Sequence, residues 1–356
     1  MSNLVGYGLI AGFVLVIGIM LLLKIYLQTY HQGKFWYIER PLKYLMILAP
    51  MFFMFAIGER WKFGENFLPS GNPDDLAWGP FHLAWLAVMI VAIIVVSSGV
   101  KADQENTKRY MFGRLNKIDF TVFQLGILLL SIEFYKQMIF LELYKGLNHY
   151  HWYGFPLQFC SIPLFLYPIV PFVKNKKIKE AFYSFIAIFN LIGGLSVMIL
   201  ATGVFTTYVS ISIHTMMWHG TMVVVAIYLI NAYKIGTKWR HYLGAVTVLF
   251  ILMVIAQLTN VLFHYIGTKF PGPGDFDGFF ISPWISRRNM PILGDIRVAM
   301  QEGGLPIAII AIVFPYIYFV VFGLTGLLIY YLLHFIWKEN GHSHHKEADV
   351  MINTNE

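Results

Sequence analysis

Charge is scarce in this chain. Of 356 residues only 13% are Asp, Glu, Lys or Arg, against about a quarter in soluble globular domains. That is too little polar surface to wrap a water-facing core of this size, so a soluble protein is excluded. Cysteine is scarcer still. Cys160 is the sole one, which rules out an intramolecular disulfide and any multi-cysteine zinc or iron–sulfur site. Long basic blocks are also missing. The formal charge of +7 is spread over scattered Lys and Arg, with no run able to track a phosphate backbone, so no nucleic-acid partner is expected. No long polar stretch could house a separate soluble domain. The first residues, Met1-Ser2-Asn3-Leu4, lack the positive region of a secretory signal.

What is present is apolar: 58% hydrophobic and 17% aromatic. A bilayer core about 30 Å thick needs roughly 20 apolar residues per helical span. Such runs occur at 4–27, 42–58, 79–100, 119–145, 155–173, 179–203, 212–234, 240–265 and 305–337. The expected fold is therefore all-α, a polytopic membrane bundle of about nine transmembrane helices. Positive residues mark alternate loops: Lys34, Arg40 and Lys43; Lys101 to Lys117; Lys174 to Lys179; Lys234, Lys238 and Arg240; then Lys338 and Lys346. Basic loops face the cytoplasm, which puts the N-terminus outside and the C-terminus in the cytoplasm. The segment 266–304 is then an outer loop, opening with the turn-forming Pro271-Gly272-Pro273-Gly274-Asp275. The tail, 338–356, reads as disordered and cytoplasmic. Its His342, His344 and His345 are more often incidental than metal-binding in such a context.

Ionisable and strongly polar groups inside spans are costly and mark functional sites. Here they are His82, Glu133, Lys136, Gln158, Cys160, Asn190, His214, His219, Gln257, Asn260 and His264. In the expected topology, most of them fall in the outer half of the membrane. A cysteine with a histidine is what nucleophilic acyl transfer requires: the thiolate attacks and the imidazole shuttles the proton. A buried free cysteine also commonly serves as a small hydrophobe, and both readings stand at this point. His214 and His219 are five residues apart, about 140° around a helix, so they cannot share one face as metal ligands would. Glu133 and Lys136 are one turn apart and either pair with each other or orient a histidine.

Several separated elements together resemble a known family. Gly79-Pro80-Phe81-His82-Leu83, Pro156-Leu157-Gln158-Phe159-Cys160-Ser161 and Glu180-Ala181-Phe182-Tyr183 followed by Gly193-Gly194 resemble elements of the YwaF-type integral membrane proteins. So do Trp218-His219-Gly220 and Asn260 with the aromatic stretch to Trp284. The resemblance covers 79–337, a seven-helix core that includes the outer loop, and leaves 1–78 as two additional helices. That family is similar to the animal transmembrane protein 164, a phospholipid acyltransferase with a Cys/His pair. The resemblance implies Cys160 as nucleophile and His219 as base, with His82, Glu133, Gln158, His214 and Asn260 supporting the pocket. It implies a membrane phospholipid as acyl donor, a lysolipid or lipoprotein amine as acceptor, no cofactor or metal, and a multi-pass place in the cell membrane. A transporter or binding protein for a small or lipidic solute, or a non-catalytic assembly partner, would use the same polar layer differently.

Overall fold

The computed structural model describes residues 61–143, 150–201, 203–267, 276–286, 290 and 292–353. The first two expected spans, at 4–27 and 42–58, lie outside these residues. Among the described residues the fold is all-helical, with isolated bridges but no strand. The principal helices are α1 (Pro80–Ser98), α2 (Val100–Glu105), α3 (Lys117–Leu143), α4 (Pro163–Ile169), α5 (Lys176–Phe185) and α6 (Leu191–Leu200). They continue with α7 (Val209–Tyr233), α8 (Trp239–Gly267), α9 (Leu293–Glu302) and α10 (Ile307–Asn353). Helices α5 and α6 are joined through a π-helical turn, Ile186–Asn190, into one continuous rod. The chain chemistry sets the ends. Pro80 opens α1 at a position whose N–H would be unsatisfied anyway. Asn175 caps α5 by accepting from the amides of Lys177 and Ile178.

Among the described residues six helices are long and apolar enough to cross a membrane: Pro80–Ser98, Lys117–Leu141, Lys176–Leu200, Val209–Tyr233, Trp239–Gly267 and Ile307–Lys338. The segment 155–173, expected to be a full span, is different. It is a broken helix over Phe159–Phe172, about 21 Å long at 1.5 Å per residue. Pro168 withdraws an amide from the interior of α4, Pro163 and Pro171 open new helical turns, and 3₁₀ turns at both ends take up the distortion.

Helix α7 lies at the centre. In its span 83% of the residues are buried, against 28% for α1 and α8 and 22% for α10. It packs on α1, α3, α6 and the π turn. The outer helices turn Ile90, Ile94, Leu258, Ile312, Leu324 and Leu328 away from the protein, as lipid-facing surfaces require. Polar contacts pin the two ends of the bundle. At one end Asp119 accepts from Lys179 at 2.8 Å and from Tyr183 at 2.6 Å. Asp103 accepts from Tyr228, and Glu180 pairs with Arg240 and His241. This end gathers the basic loops from Lys101 to Arg240 that the sequence marks as cytoplasmic. At the other end His82 meets the Met198 carbonyl at 2.8 Å, and Phe63 and Val209 exchange backbone bonds with Thr207 and Trp61.

Small residues let these helices approach closely. A Cβ at Gly126 would lie 2.7 to 2.8 Å from backbone and ring atoms of Tyr167 and Pro168, which cannot yield as a flexible side chain would. At Gly220 the nearest atoms are at 3.9 Å. We expect Gly126→Ala to cost about 1–3 kcal/mol by overpacking, and Gly220→Ala to be near neutral. Thermal unfolding in one detergent compares them. Equal midpoints for the two variants would show that the α3–α4 approach is not tight.

Candidate functional site

The end of the bundle away from the basic loops holds most of the chemistry. Cys160 is half-buried and sits in the 3₁₀ turn Phe159–Ser161. Gln158 is the N-cap residue of this turn. Its side chain accepts from Ser161 Oγ at 3.2 Å and donates to the Tyr153 carbonyl. The turn is tied to the central helix by one bond: Trp218 Nε1 donates to the Cys160 carbonyl at 2.8 Å. Trp218 stacks on His214, with ring centroids 5.3 Å apart and planes at 24°. His214 Nε2 lies 3.2 Å from Glu133 Oε2, within ion-pair distance although its angle falls short of a hydrogen bond.

Glu133 is the hub on α3. Its Oε1 receives Lys136 Nζ at 2.7 Å and Gln137 Nε2 at 2.6 Å. Gln137 also donates to the Gly154 carbonyl and accepts from the Tyr150 hydroxyl. The two roles weighed for Glu133 therefore coexist: it pairs with Lys136 and contacts a histidine.

His219 is buried in α7. Its Nδ1 meets the Thr215 carbonyl at 2.8 Å. A carbonyl can only accept, so Nδ1 carries the proton and the neutral ring presents Nε2 as an acceptor. Among the described residues Nε2 has no hydrogen-bond partner. That is the tautomer a general base needs.

Asn260 and His82 are committed to structure. Asn260 Oδ1 accepts from the Gly278 amide at 2.7 Å, and its Nδ2 donates to the Gly278 carbonyl and to Gln257. It thereby clamps the segment 276–286, whose Phe279 amide donates to the Leu157 carbonyl and whose Phe279 ring packs on Phe159. Its influence on Cys160 runs through this cap. His82 is fully buried, with Nδ1 accepting from the Trp78 amide and Nε2 facing the Met198 carbonyl. Both its nitrogens serve backbone, in contacts separate from those of Cys160. No group of three or more His, Cys, Asp or Glu side chains able to hold a metal occurs among the described residues.

Sequence reading gave little weight to the ion pair under the cap. Arg297 and Asp277 are almost wholly buried and meet at 2.8 Å. The guanidinium also donates to the carbonyls of Phe280 and Ser282, and Asp277 accepts from the Ser282 amide. The sequence offers only an Arg in a long loop as a signal. Trp218, Gln137 and Tyr150 were missed as well, since aromatic and amide groups near the interface are common in any membrane protein.

A bundle of apolar helices with a polar, histidine-bearing cluster at one end defines a polytopic membrane protein with a membrane-embedded site. A family model described as the TMEM164 family matches residues 77–270, more than half of the chain. The chain belongs to the TMEM164 family, in agreement with the resemblance to transmembrane protein 164. The match takes in Cys160, Glu133, both α7 histidines and Asn260, and stops before α9 and α10. No curated protein and no solved structure matches the chain.

Removing one partner of a buried ion pair strands the other charge, typically at about 3–5 kcal/mol, whereas replacing both by apolar groups is often near neutral. We expect Arg297→Met to lower stability by that order, and the double variant Asp277→Leu/Arg297→Met to recover part of it. Thermal midpoints and detergent-solubilised yield provide the comparison. A double variant no more stable than Arg297→Met would contradict the pairing.

Proposed function

We propose that the protein is a membrane-embedded acyltransferase, or a lipase-like enzyme, acting on phospholipid acyl esters at the outer leaflet through Cys160 and His219. The observation that carries this reading is the state of His219: Nδ1–H fixed on Thr215, Nε2 free as an acceptor, one residue from the indole that holds the Cys160 turn. Cys160 Sγ adds to the ester carbonyl carbon while His219 Nε2 takes the thiol proton. Collapse of the tetrahedral intermediate breaks the bond to the glycerol oxygen, which receives that proton. A lysolipid hydroxyl, a lipoprotein amine or water then discharges the thioester, with His219 acting in reverse.

Glu133, held by Lys136 and Gln137, positions His214 and through it the Trp218 indole. The basic loops at the opposite end support the orientation in which the site faces outward. The ester carbonyls of a bilayer lie near its interface, the depth that the ends of α3, α7 and α8 would occupy. In this reading the chain resides in the cell membrane with two additional helices before the core.

A second reading, a transporter or solute-binding protein, is favoured by one observation. Polar groups continue below the site: Asn190 donates to the Tyr167 hydroxyl in the buried middle of the bundle, on the way to Asp119.

We expect Cys160→Ala to abolish acyl transfer from phospholipid vesicles carrying radiolabelled chains, and His219→Ala to lower it by about 10²–10⁴-fold. Undiminished transfer by the Cys160→Ala protein sinks the enzyme reading. Reconstituted solute uptake that survives Cys160→Ala but is lost in His219→Ala would establish the transporter instead.

A further inference from the structure

The hydroxyl of Tyr318 is unexplained by the fold. Tyr318 lies in α10, beyond the matched region, and is completely buried. Its OH has no hydrogen-bond partner among the described residues. An unmet hydroxyl in an apolar interior is costly, and phenylalanine would fill the same space without that cost. Its ring is firmly placed. It stacks on Phe322 with centroids 4.4 Å apart and planes at 15°. Phe322 in turn packs on Phe159 at 4.9 Å, the residue before Cys160. One turn earlier on α10, Phe314 lies under the Arg297 guanidinium, which Asp277 holds. The tyrosine is thus linked through Phe322 and Phe159 to the Cys160 turn, and it lies on the same helix as the Phe314 ring that faces the buried ion pair.

Several donors around Cys160 are already used. The Ser161 and Ile162 amides close the 3₁₀ turn on Gln158 and Phe159. Trp218 Nε1 is on the Cys160 carbonyl. Both amide hydrogens of Asn260 are used. A tetrahedral intermediate on Cys160 nonetheless needs donors for its oxyanion.

We propose that the Tyr318 hydroxyl is the side-chain donor to the carbonyl oxygen of the acyl group attacked by Cys160. This deepens the acyl-transfer reading and rests on it. Tyr318 keeps its proton throughout: it donates a hydrogen bond that strengthens as the carbonyl oxygen gains charge, while the thiol proton travels by His219. A fully buried phenol stacked on Phe322 suits a neutral ester oxygen. It does not suit a phosphate, which carries its charge and hydration with it, so the site is selective for the acyl end of the lipid over its headgroup.

The test uses the full-length protein in vesicles of phosphatidylethanolamine and phosphatidylglycerol with radiolabelled acyl chains, with added lysophosphatidylglycerol. Label is followed into acceptor lipid and free fatty acid. For Tyr318→Phe we expect kcat to fall about 10²–10³-fold, the loss typical of one oxyanion donor, with KM within about twofold. Its thermal midpoint should be equal to or above that of the parent, because the variant removes an unmet polar group. A retained kcat overturns the proposal, and so does a lowered midpoint, which would mark the hydroxyl as structural. Cys160→Ala separates the two levels. If it is inactive while Tyr318→Phe is fully active, the role of Tyr318 falls and the acyl-transfer reading stands. If the parent transfers no label, or Cys160→Ala remains active, both fall.

Discussion

Inside a bilayer every backbone carbonyl must find a donor within the protein, and the proline-broken segment 159–172 makes that demand acute. Its helix cannot satisfy its own ladder, so other elements must. Trp218 serves the Cys160 carbonyl, Lys179 the Pro171 carbonyl, and the Phe279 amide the Leu157 carbonyl just before the segment. These three donors come from α7, α5 and the cap over the site. The same logic governs α10, where Pro315 removes the donor to the Ala311 carbonyl and Gln257 of α8 supplies one at 3.0 Å. Interhelical geometry follows from these substitutions. A weak local helix becomes the junction on which α5, α7 and the cap converge.

This explains why Cys160 is at the site end at all. A regular membrane helix would hide its backbone and leave a cysteine as one apolar group among many. Here the thiol rides on a 3₁₀ turn whose carbonyl is pulled toward α7, the most buried helix of the bundle. Helix α7 contributes His214, Trp218 and His219 within two turns, so the residue that serves the Cys160 carbonyl lies between the two buried histidines in the chain. Structural repair and site assembly use the same contact.

Much of this was legible in the sequence. The apolar runs located six long spans, and the alternation of basic loops anticipated which ends share a side. Polar residues within those runs grouped Glu133, Cys160, His214 and His219 in one expected layer, and among them the structure shows the contact of Glu133 with His214. The short segment was misjudged because hydropathy counts apolar residues and does not weigh prolines against the ladder they break. Asn260 and His82 were grouped with the pocket because depth alone cannot tell a side chain that serves backbone from one left open. Arg297 and Tyr318 escaped notice for opposite reasons. The arginine falls in a stretch that reads from sequence as a long outer loop, where charge is ordinary, and the tyrosine is one more aromatic in an apolar helix. Their meaning depends on who sits opposite, which a single sequence does not carry.

Buried groups without a hydrogen-bond partner occur along the bundle among the described residues, Thr121 Oγ1 and Ser184 Oγ near the basic end included. At the basic end the carboxylates of Asp103, Asp119 and Glu180 each receive a side-chain donor, as a scaffold does when it has only to hold together. At the site end, Nε2 of His219, Oε2 of Glu133 and the hydroxyl of Tyr318 lack a hydrogen-bond partner among the described residues. A buried group with no partner costs about 1–3 kcal/mol; Glu133 Oε2 is offset in part by the His214 contact at 3.2 Å, whereas the Tyr318 hydroxyl has no such contact. A polar guest that enters this layer would meet them together. In the acyl-transfer reading the ester carbonyl oxygen would accept from Tyr318, while the proton that His219 takes would come from the Cys160 thiol.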